Sequence, residues 1–270
     1  MADSGPLIAP KAPKPPRAKR RRIWPFVTIA IVLVVLIAGF FIADAAAKSY
    51  AQDRIKQELV SSLGLPPGTE VDVAVGGGSV LLQALSGKLN EVDVAIPKLA
   101  FGDLVGSATL HATQVPLDQS RPLDKLAISY TVSEKNVAAL ATQLSGVKLD
   151  SISLKDKQIV AKATLSVLFL TVPIGLGLSP SAQNGQLAFT PTSITVSGQT
   201  FTAEQLLANP VFGSIARTLL QQQSFCVAQY LPRAMTLTSA RVGGANLVLD
   251  FSGDGAAIGG SAFTTKGRCS

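Results

Sequence analysis

The sequence predicts an α+β fold in which a curved antiparallel sheet packs on helices, preceded by one transmembrane helix. Three observations lead to this prediction. Residues 23–43 carry no charge. From residue 70 onward, many short segments alternate apolar and polar side chains, as half-buried strands do. Strands and helices do not alternate regularly, which argues against a parallel sheet with crossover helices.

The first 43 residues predict a membrane anchor. Residues 1–22 hold seven basic residues and one acidic residue, a composition typical of a disordered tail. The 21 residues of 23–43 span the roughly 30 Å of a bilayer core at about 1.5 Å per residue. Because the positive charge precedes the span, we expect a single-pass protein with its N-terminus in the cytoplasm and residues 44–270 outside.

A cleaved signal peptide is the alternative interpretation of this start. Small residues suited to cleavage occur in "ADAAA" at 43–47. Apolar regions of cleaved signals are typically about 7 to 15 residues long, which is shorter than this one. We therefore favour an uncleaved anchor in the cell membrane, and under both interpretations the main domain is extracytoplasmic, in a periplasm-like compartment.

The basic charge of the chain belongs to its N-terminal tail. The chain has 24 basic and 17 acidic residues, of which seven and one lie in residues 1–22. The remaining 17 basic and 16 acidic residues leave the outer part nearly neutral. The charge therefore indicates topology and contact with anionic lipid, and we expect no nucleic-acid partner.

Residues 44–65 predict a helix that leaves the membrane. Ile55, Leu59 and Leu63 recur every four residues, and Gly64 and Pro66 follow as helix-terminating signals. This narrow apolar stripe suits either a free stalk or a helix docked on the domain, and the sequence leaves both open. The following residues predict ten strand segments: 70–75, 88–96, 107–115, 125–133, 148–154, 158–178, 186–191, 193–198, 234–242 and 245–253. Helices are predicted at 134–145 and, more loosely, at 202–223.

The search for catalytic and metal-binding residues is mostly negative. His111 is the only histidine and is expected on the polar side of its strand. A single imidazole is too few for a zinc site. The glycines of "VGGGS" (75–79) lack the residues of a phosphate-binding loop. Asp250 and Asp254, expected at a hairpin tip, are weak candidates for paired carboxylates. We expect no enzyme activity, no metal and no cofactor.

Two apolar segments are candidates for lipid binding. Leu165, Val167 and Phe169 lie on one face of the predicted strand 158–178, whose other face is also apolar. A central strand covered on both sides gives the same pattern, so these residues belong either to a core or to an elongated cavity. An apolar helix face is the candidate for the opposite wall and consists of Phe212, Ile215 and Leu219.

The segment "GSVLLQALSGKLNEVDVAIPKL" (78–99) resembles the front motif of the LmeA-like family of actinobacterial phospholipid-binding proteins. The closing segment "CVAQYLPRAMTLTSARVGGANLVLDFSG" (226–253) resembles the end of the same family. The resemblance implies a non-catalytic, extracytoplasmic domain over 66–270 that holds phospholipid and serves cell-envelope maintenance. It also implies a tubular lipid-binding-like architecture, in which the curved sheet cradles a long helix. The alternative function is a protein-interaction scaffold of the envelope without a lipid cavity, and protein partners stay unassigned.

Cys226 and Cys269 are the two cysteines of the chain. Because both are expected outside the cytoplasm, we predict that they form a disulfide. The bond closes a loop of 43 residues and ties a glycine-rich C-terminal segment to the predicted helix 202–223.

Overall fold

A computed structural model describes residues 24–62, 64–66, 68–101, 104–144, 149–167, 170–208, 217 and 220–269. The predicted basic tail, 1–22, lies outside these residues. The chain divides between Ala43 and Asp44 into two compact units. We describe the two units, 1–43 and 44–270, separately.

The first unit contains the start of helix α1 (Trp24–Ser62). Its side chains from Ile31 to Ile42 are apolar, and the large ones among them are exposed. Among the described residues, α1 is the one helix long and apolar enough to cross a membrane. An apolar surface of this length without a protein partner is typical of a membrane span.

The second part of α1, in the outer unit, is docked on the core. Ala47, Ala51, Ile55 and Leu59 are partly buried and pack against the core, whereas the residues between them are largely exposed. Their four-residue spacing keeps them on one side of the helix. In the described residues, this part of the helix lies against the core of the outer unit.

The outer unit is built mainly from antiparallel strands. The described strands are β1 (Asp72–Gly76), β2 (Lys88–Phe101), β3 (Leu104–Pro116), β4 (Lys125–Ser133), β5 (Leu149–Lys155), β6 (Gln158–Val167), β7 (Leu170–Gln183), β8 (Gln186–Val196), β9 (Gln199–Thr202), β10 (Gln223–Cys226), β11 (Thr236–Gly243) and β12 (Asn246–Ser252). The first sheet has the order β1-β2-β3-β4-β12-β11, and the second has the order β10-β8-β7-β6-β5, with β9 paired to β8. All the pairings are antiparallel, so the α+β prediction is confirmed, with two sheets where the sequence suggested one.

Short helices lie between the strands and after the last one. They are α2 (Val80–Leu85), α3 (Glu134–Leu144), α4 (Ala203–Ala208), a 3-10 turn (Ala228–Tyr230) and α5 (Ser261–Thr264). Helix α3 links the two sheets, because Oε2 of Glu134 accepts a hydrogen bond from the backbone N–H of Leu154 at 2.6 Å.

One core joins the docked helix and both sheets. Among the described residues, the largest fully buried side chains are Val71, Val75 and Val132 of the first sheet and its flank, at 2, 1 and 0% exposure. Leu154 and Ile159 of the second sheet belong to the same buried cluster. Regular alternation of inward valines and outward polar residues places this apolar surface on one side of the first sheet.

Two local predictions are wrong. The segment 158–178 is not one strand but parts of β6 and β7, which pair in register down to Val167 opposite Leu170. The predicted helical region 202–223 includes α4 and reaches into β10, which pairs with β8, and its residues 209–216, 218 and 219 lie outside the described residues. Cys226 is therefore the last residue of an edge strand and does not end a helix. The hairpin was not predicted because apolar residues occur on both faces of the segment 158–178. The helix was predicted up to residue 223 because the glutamines before β10 have a high helix propensity.

The predicted disulfide is present. Cys226 and Cys269 are bonded, with Cα atoms 5.7 Å apart. The C-terminal segment that it holds also makes backbone hydrogen bonds to the region after β10, from Gly267 N–H to the Leu231 carbonyl and from Arg233 N–H to the Thr265 carbonyl. The bond therefore fastens the chain end to the edge of the second sheet.

Candidate functional site

The second sheet carries an apolar surface that reaches beyond the core. Residues directly opposite each other in an antiparallel pair project to the same side, and every second residue of a strand does so too. Ala161, Leu176, Ile194 and Phe201 are consecutive partners across four strands. The next row pairs Ala163, Ile174 and Val196. The "apolar sheet face" of this article consists of Ala161, Ala163, Val172, Ile174, Leu176, Ile194, Val196 and Phe201.

The opposite side of the same sheet is polar. It carries Lys162, Thr164 and Thr195, which alternate along their strands with members of the apolar sheet face. Thr195 and Thr200 share a hydrogen bond of 2.8 Å between their hydroxyl oxygens. The sheet is therefore amphipathic, with two chemically distinct sides.

The apolar sheet face begins at the core and becomes more exposed away from it. Ile159 and Leu178 are paired in register; the first is buried in the core and the second packs against it. Farther along, Ile174 and Leu176 are half-buried, and Phe201 and Val196 are exposed at 38 and 40%. An apolar sheet surface that extends beyond its own core is suited to binding an apolar ligand.

The residues predicted to bind lipid lie at the edge of what the structure describes. The backbones of Leu165 and Val167 belong to β6 and pair with Val172 and Leu170. Their side chains, and all of Phe169, Phe212, Ile215 and Leu219, lie outside the described residues. Their role therefore stays a prediction.

Sequence reasoning missed the part of the apolar sheet face contributed by β7, β8 and β9. The signal was present in "VPIGLGL" (172–178), whose alternate residues Val172, Ile174 and Leu176 are apolar. Treating 158–178 as one strand assigned these residues to a second face instead of to the paired strand of a hairpin.

Open grooves also lie among the described residues of the outer unit, and three of them are lined by other residues than those predicted to bind lipid. The first, of about 670 Å³, crosses the outward side of the first sheet and is lined by Asp93, His111 and Asp250, among others. Small side chains such as Ala95 and Ser129 alternate there with the polar ones. Most of its exposed wall surface is nevertheless apolar, with Leu110, Ile128 and Phe251 among the lining residues.

His111 is exposed and paired with acidic residues. Its Nδ1 lies 2.7 Å from Oδ1 of Asp93 and 3.9 Å from Oε1 of Glu91. These three side chains have ligand atoms within 4.8 Å of one another. Exposed clusters of this kind are common on protein surfaces without an ion, and we assign no metal to this one.

The pKa of His111 is expected to be above its ordinary value, because Asp93 hydrogen-bonds the ring and its charge, with that of Glu91, favours the imidazolium. A raised folded-state pKa means that the pair stabilises the protein below about pH 6.5 and that this contribution is lost as the pH rises through the folded-state pKa. NMR titration of the single imidazole measures the pKa directly. Asp93→Asn is expected to lower it, and an unchanged titration would contradict the pairing.

Asp250 and Asp254 have structural roles among the described residues. Asp250 lies within β12 rather than at a hairpin tip, where it pairs with Arg241 and accepts a hydrogen bond from Ser129 at 2.8 Å. Asp254 accepts the backbone N–H of Leu126 at 2.9 Å. Their placement at a shared hairpin tip is therefore wrong, since the β11–β12 turn lies at residues 244–245.

The motif of residues 78–99 has a structural explanation in helix α2. Gln83 is buried, at 4% exposure, and its side-chain amide donates to the carbonyls of Gly76 and Gly78 at 2.9 and 3.2 Å. Its Oε1 accepts the N–H of Asn90 at 2.7 Å. One side chain therefore joins β1, the glycine turn, α2 and β2.

The residues after Gln83 terminate the helix. The N–H of Ser86 donates to the Leu82 carbonyl, and its hydroxyl donates to the Gln83 carbonyl at 2.7 Å. Gly87 has a φ of 76°, a left-handed conformation that glycine adopts without steric cost. The "LSG" of the motif is thus a helix stop that directs the chain into β2.

Comparison with known proteins identifies the family. The model of the LmeA-like phospholipid-binding family matches residues 42–252, well over half of the chain. No curated protein and no solved structure matched in the corresponding comparisons. The match covers the docked part of α1, both sheets and the α2 motif. The chain therefore belongs to the LmeA-like phospholipid-binding family.

Proposed function

We propose that residues 44–270 form a membrane-anchored extracytoplasmic body that binds phospholipid on the apolar sheet face and supports cell-envelope maintenance without catalysis. The observation that carries this proposal is the extension of that face beyond the core, where Ile194 is half-buried and Phe201 is exposed. The family to which the chain belongs is a phospholipid-binding one, which agrees with an apolar ligand.

The physical basis of binding is burial of acyl chains. Each CH₂ group removed from water contributes about 0.8 kcal/mol, so a long apolar surface suffices and no charged residue is required. The row from Val172 to Leu178 on β7 is about 20 Å long at roughly 3.4 Å per residue, which accommodates many such groups.

The residues predicted from sequence complete this proposal. We propose that these residues also contact the acyl chains: Leu165, Val167 and Phe169 as one group, and Phe212, Ile215 and Leu219 as the opposite wall. This arrangement would shield the acyl chains from water on two sides.

The orientation in the membrane is part of the proposal. Seven basic residues before the span favour a cytoplasmic N-terminus. The Cys226–Cys269 disulfide is suited to an oxidising compartment and supports an outer location for the body.

Phe201→Asp tests the apolar sheet face. Placing a carboxylate on an exposed position of this face is expected to reduce bound phospholipid severalfold, because a charge among acyl chains loses its hydration. The matched control is Thr200→Asp, on the neighbouring position and the polar side, which is expected to retain lipid. Lipid is quantified by mass spectrometry after extraction from purified residues 44–270.

Equal lipid retention by the two variants would contradict the assignment of this face. Absence of phospholipid from the unmodified body, together with no binding to vesicles, would instead favour the envelope scaffold. Circular dichroism and thermal unfolding of each variant would distinguish loss of binding from loss of folding.

A further inference from the structure

Three exposed leucines lie together at one end of the first sheet. Leu82, Leu85 and Leu117 are exposed at 58, 85 and 50%. The first two are three residues apart on α2 and share a side of that helix. Leu117 follows β3, and its N–H donates to the carbonyl of Gly87 at 3.0 Å, which holds it beside the end of α2. These three residues form the "leucine patch".

The patch is held firmly by the outer unit. Val80 and Gln83, on the other side of α2, are buried. Oγ of Ser79 caps the helix by accepting the N–H of Leu82 at 3.3 Å, and its hydroxyl donates to Oδ1 of Asp44 at 2.7 Å. The same carboxylate oxygen accepts the N–H of Leu81 at 2.9 Å. The exposure of the leucines is therefore a property of an ordered helix and not of a loose loop.

Asp44 connects helix α2 to the start of the outer unit. It is the residue that directly follows the uncharged segment 23–43. A carboxylate is costly in the hydrocarbon core, so Asp44 belongs at the bilayer surface. Since α2 is hydrogen-bonded to Asp44, its exposed leucines lie near the residue at which the chain leaves the uncharged segment.

Basic side chains accompany the leucines. Lys88 and Arg121 line an open groove of about 530 Å³ together with Ser86 and Gly87, which end α2. Asp124 lies in the same groove, and Lys88 is hydrogen-bonded to Gln114. A combination of exposed leucines and basic residues is typical of surfaces that rest in the interface of anionic bilayers.

We propose that the leucine patch inserts into the outer leaflet of the membrane that the chain itself crosses, with Lys88 and Arg121 near the lipid phosphates. The patch would keep this end of the first sheet at the bilayer surface. The proposal rests on the membrane anchoring of the proposed function, but not on phospholipid binding by the apolar sheet face.

Tryptophan fluorescence tests the insertion in the full chain. Trp24 is the single native tryptophan, so Leu85→Trp in a Trp24→Phe background gives one reporter. The protein is reconstituted into phosphatidylcholine–phosphatidylglycerol vesicles with or without brominated acyl chains, which quench only reporters that reach the bilayer. Val105→Trp in the same background is the matched control, because Val105 is apolar, 42% exposed and on β3. It lies about 37 Å along that strand from Pro116, the residue before Leu117 of the leucine patch, at roughly 3.4 Å per residue.

If the leucine patch inserts into the interface, we expect the Leu85→Trp reporter to be quenched at least about twofold more strongly than the Val105→Trp reporter. Equal quenching of the two reporters, or no quenching at position 85 while the wild-type Trp24 is quenched, would overturn the proposal. Unquenched Trp24 would overturn the membrane anchor and the patch with it. The lipid content of residues 44–270 is a separate measurement, so failure of the patch and failure of the apolar sheet face are distinguishable.

Discussion

Replacing Cys226 and Cys269 together with serine is expected to lower the free energy of unfolding by about 3 to 4 kcal/mol, the chain-entropy value for a loop of this length. The bond links residues 43 positions apart. In a domain of this size the change corresponds to a melting temperature lower by about 10 °C.

The location of the bond makes this loss larger than a surface contact would give. Cys226 ends β10, a four-residue edge strand. Phe225, next to it, is 60% exposed and meets Phe189 edge to face, with ring centroids 5.9 Å apart. Because β10 buries little of its own surface, the disulfide adds a covalent constraint to the β10–β8 pairing and to the backbone hydrogen bonds of the C-terminal segment.

Urea unfolding with and without reductant measures the effect. Reductant is expected to lower the midpoint of the wild-type body to that of the Cys226→Ser, Cys269→Ser variant, and to leave the variant unchanged. Identical midpoints for the oxidised wild type and the variant would contradict a stabilising disulfide.

Gln83→Ala is expected to lower the free energy of unfolding by about 3 kcal/mol, because the three hydrogen bonds of a buried side-chain amide are lost at roughly 1 kcal/mol each. The groups concerned are the carbonyls of Gly76 and Gly78 and the N–H of Asn90. The matched control is Leu82→Ala on the exposed side of the same helix, where the expected change is small.

Gln83→Glu separates the two halves of this network. A carboxylate can still accept the Asn90 N–H, but it cannot donate to two carbonyls. We therefore expect a loss of stability here as well, measured by the same urea titration. If Gln83→Ala and Leu82→Ala have the same free energy of unfolding, the Gln83 amide does not join β1, α2 and β2 as described.

The strands of the first sheet could be predicted well from the sequence, because one of their sides faces the core and the other faces water. The predicted segment 88–96 lies within β2, and 125–133 coincides with β4. Alternation of this kind is the strongest local signal of a half-buried strand. The family motif at 78–99 was also detectable, although its structural cause, a buried glutamine in a six-residue helix, was not.

The second sheet was harder to predict, since its limits depend on pairing rather than on local pattern. The β6–β7 hairpin has apolar residues before and after its turn, with no glycine or proline between Leu165 and Val172 to mark it. Strand β10 exists through its pairing with β8 and its disulfide, which override the helical preference of the glutamines before it. The apolar sheet face depends on both pairings and was therefore only partly visible in the sequence.

The measurement that tests the central claim most directly is the lipid content of purified residues 44–270, determined by extraction and mass spectrometry. The unmodified body is expected to retain phospholipid through purification, and Phe201→Asp is expected to lose most of it while Thr200→Asp does not. A folded, oxidised body that carries no phospholipid and takes none from vesicles would contradict the account.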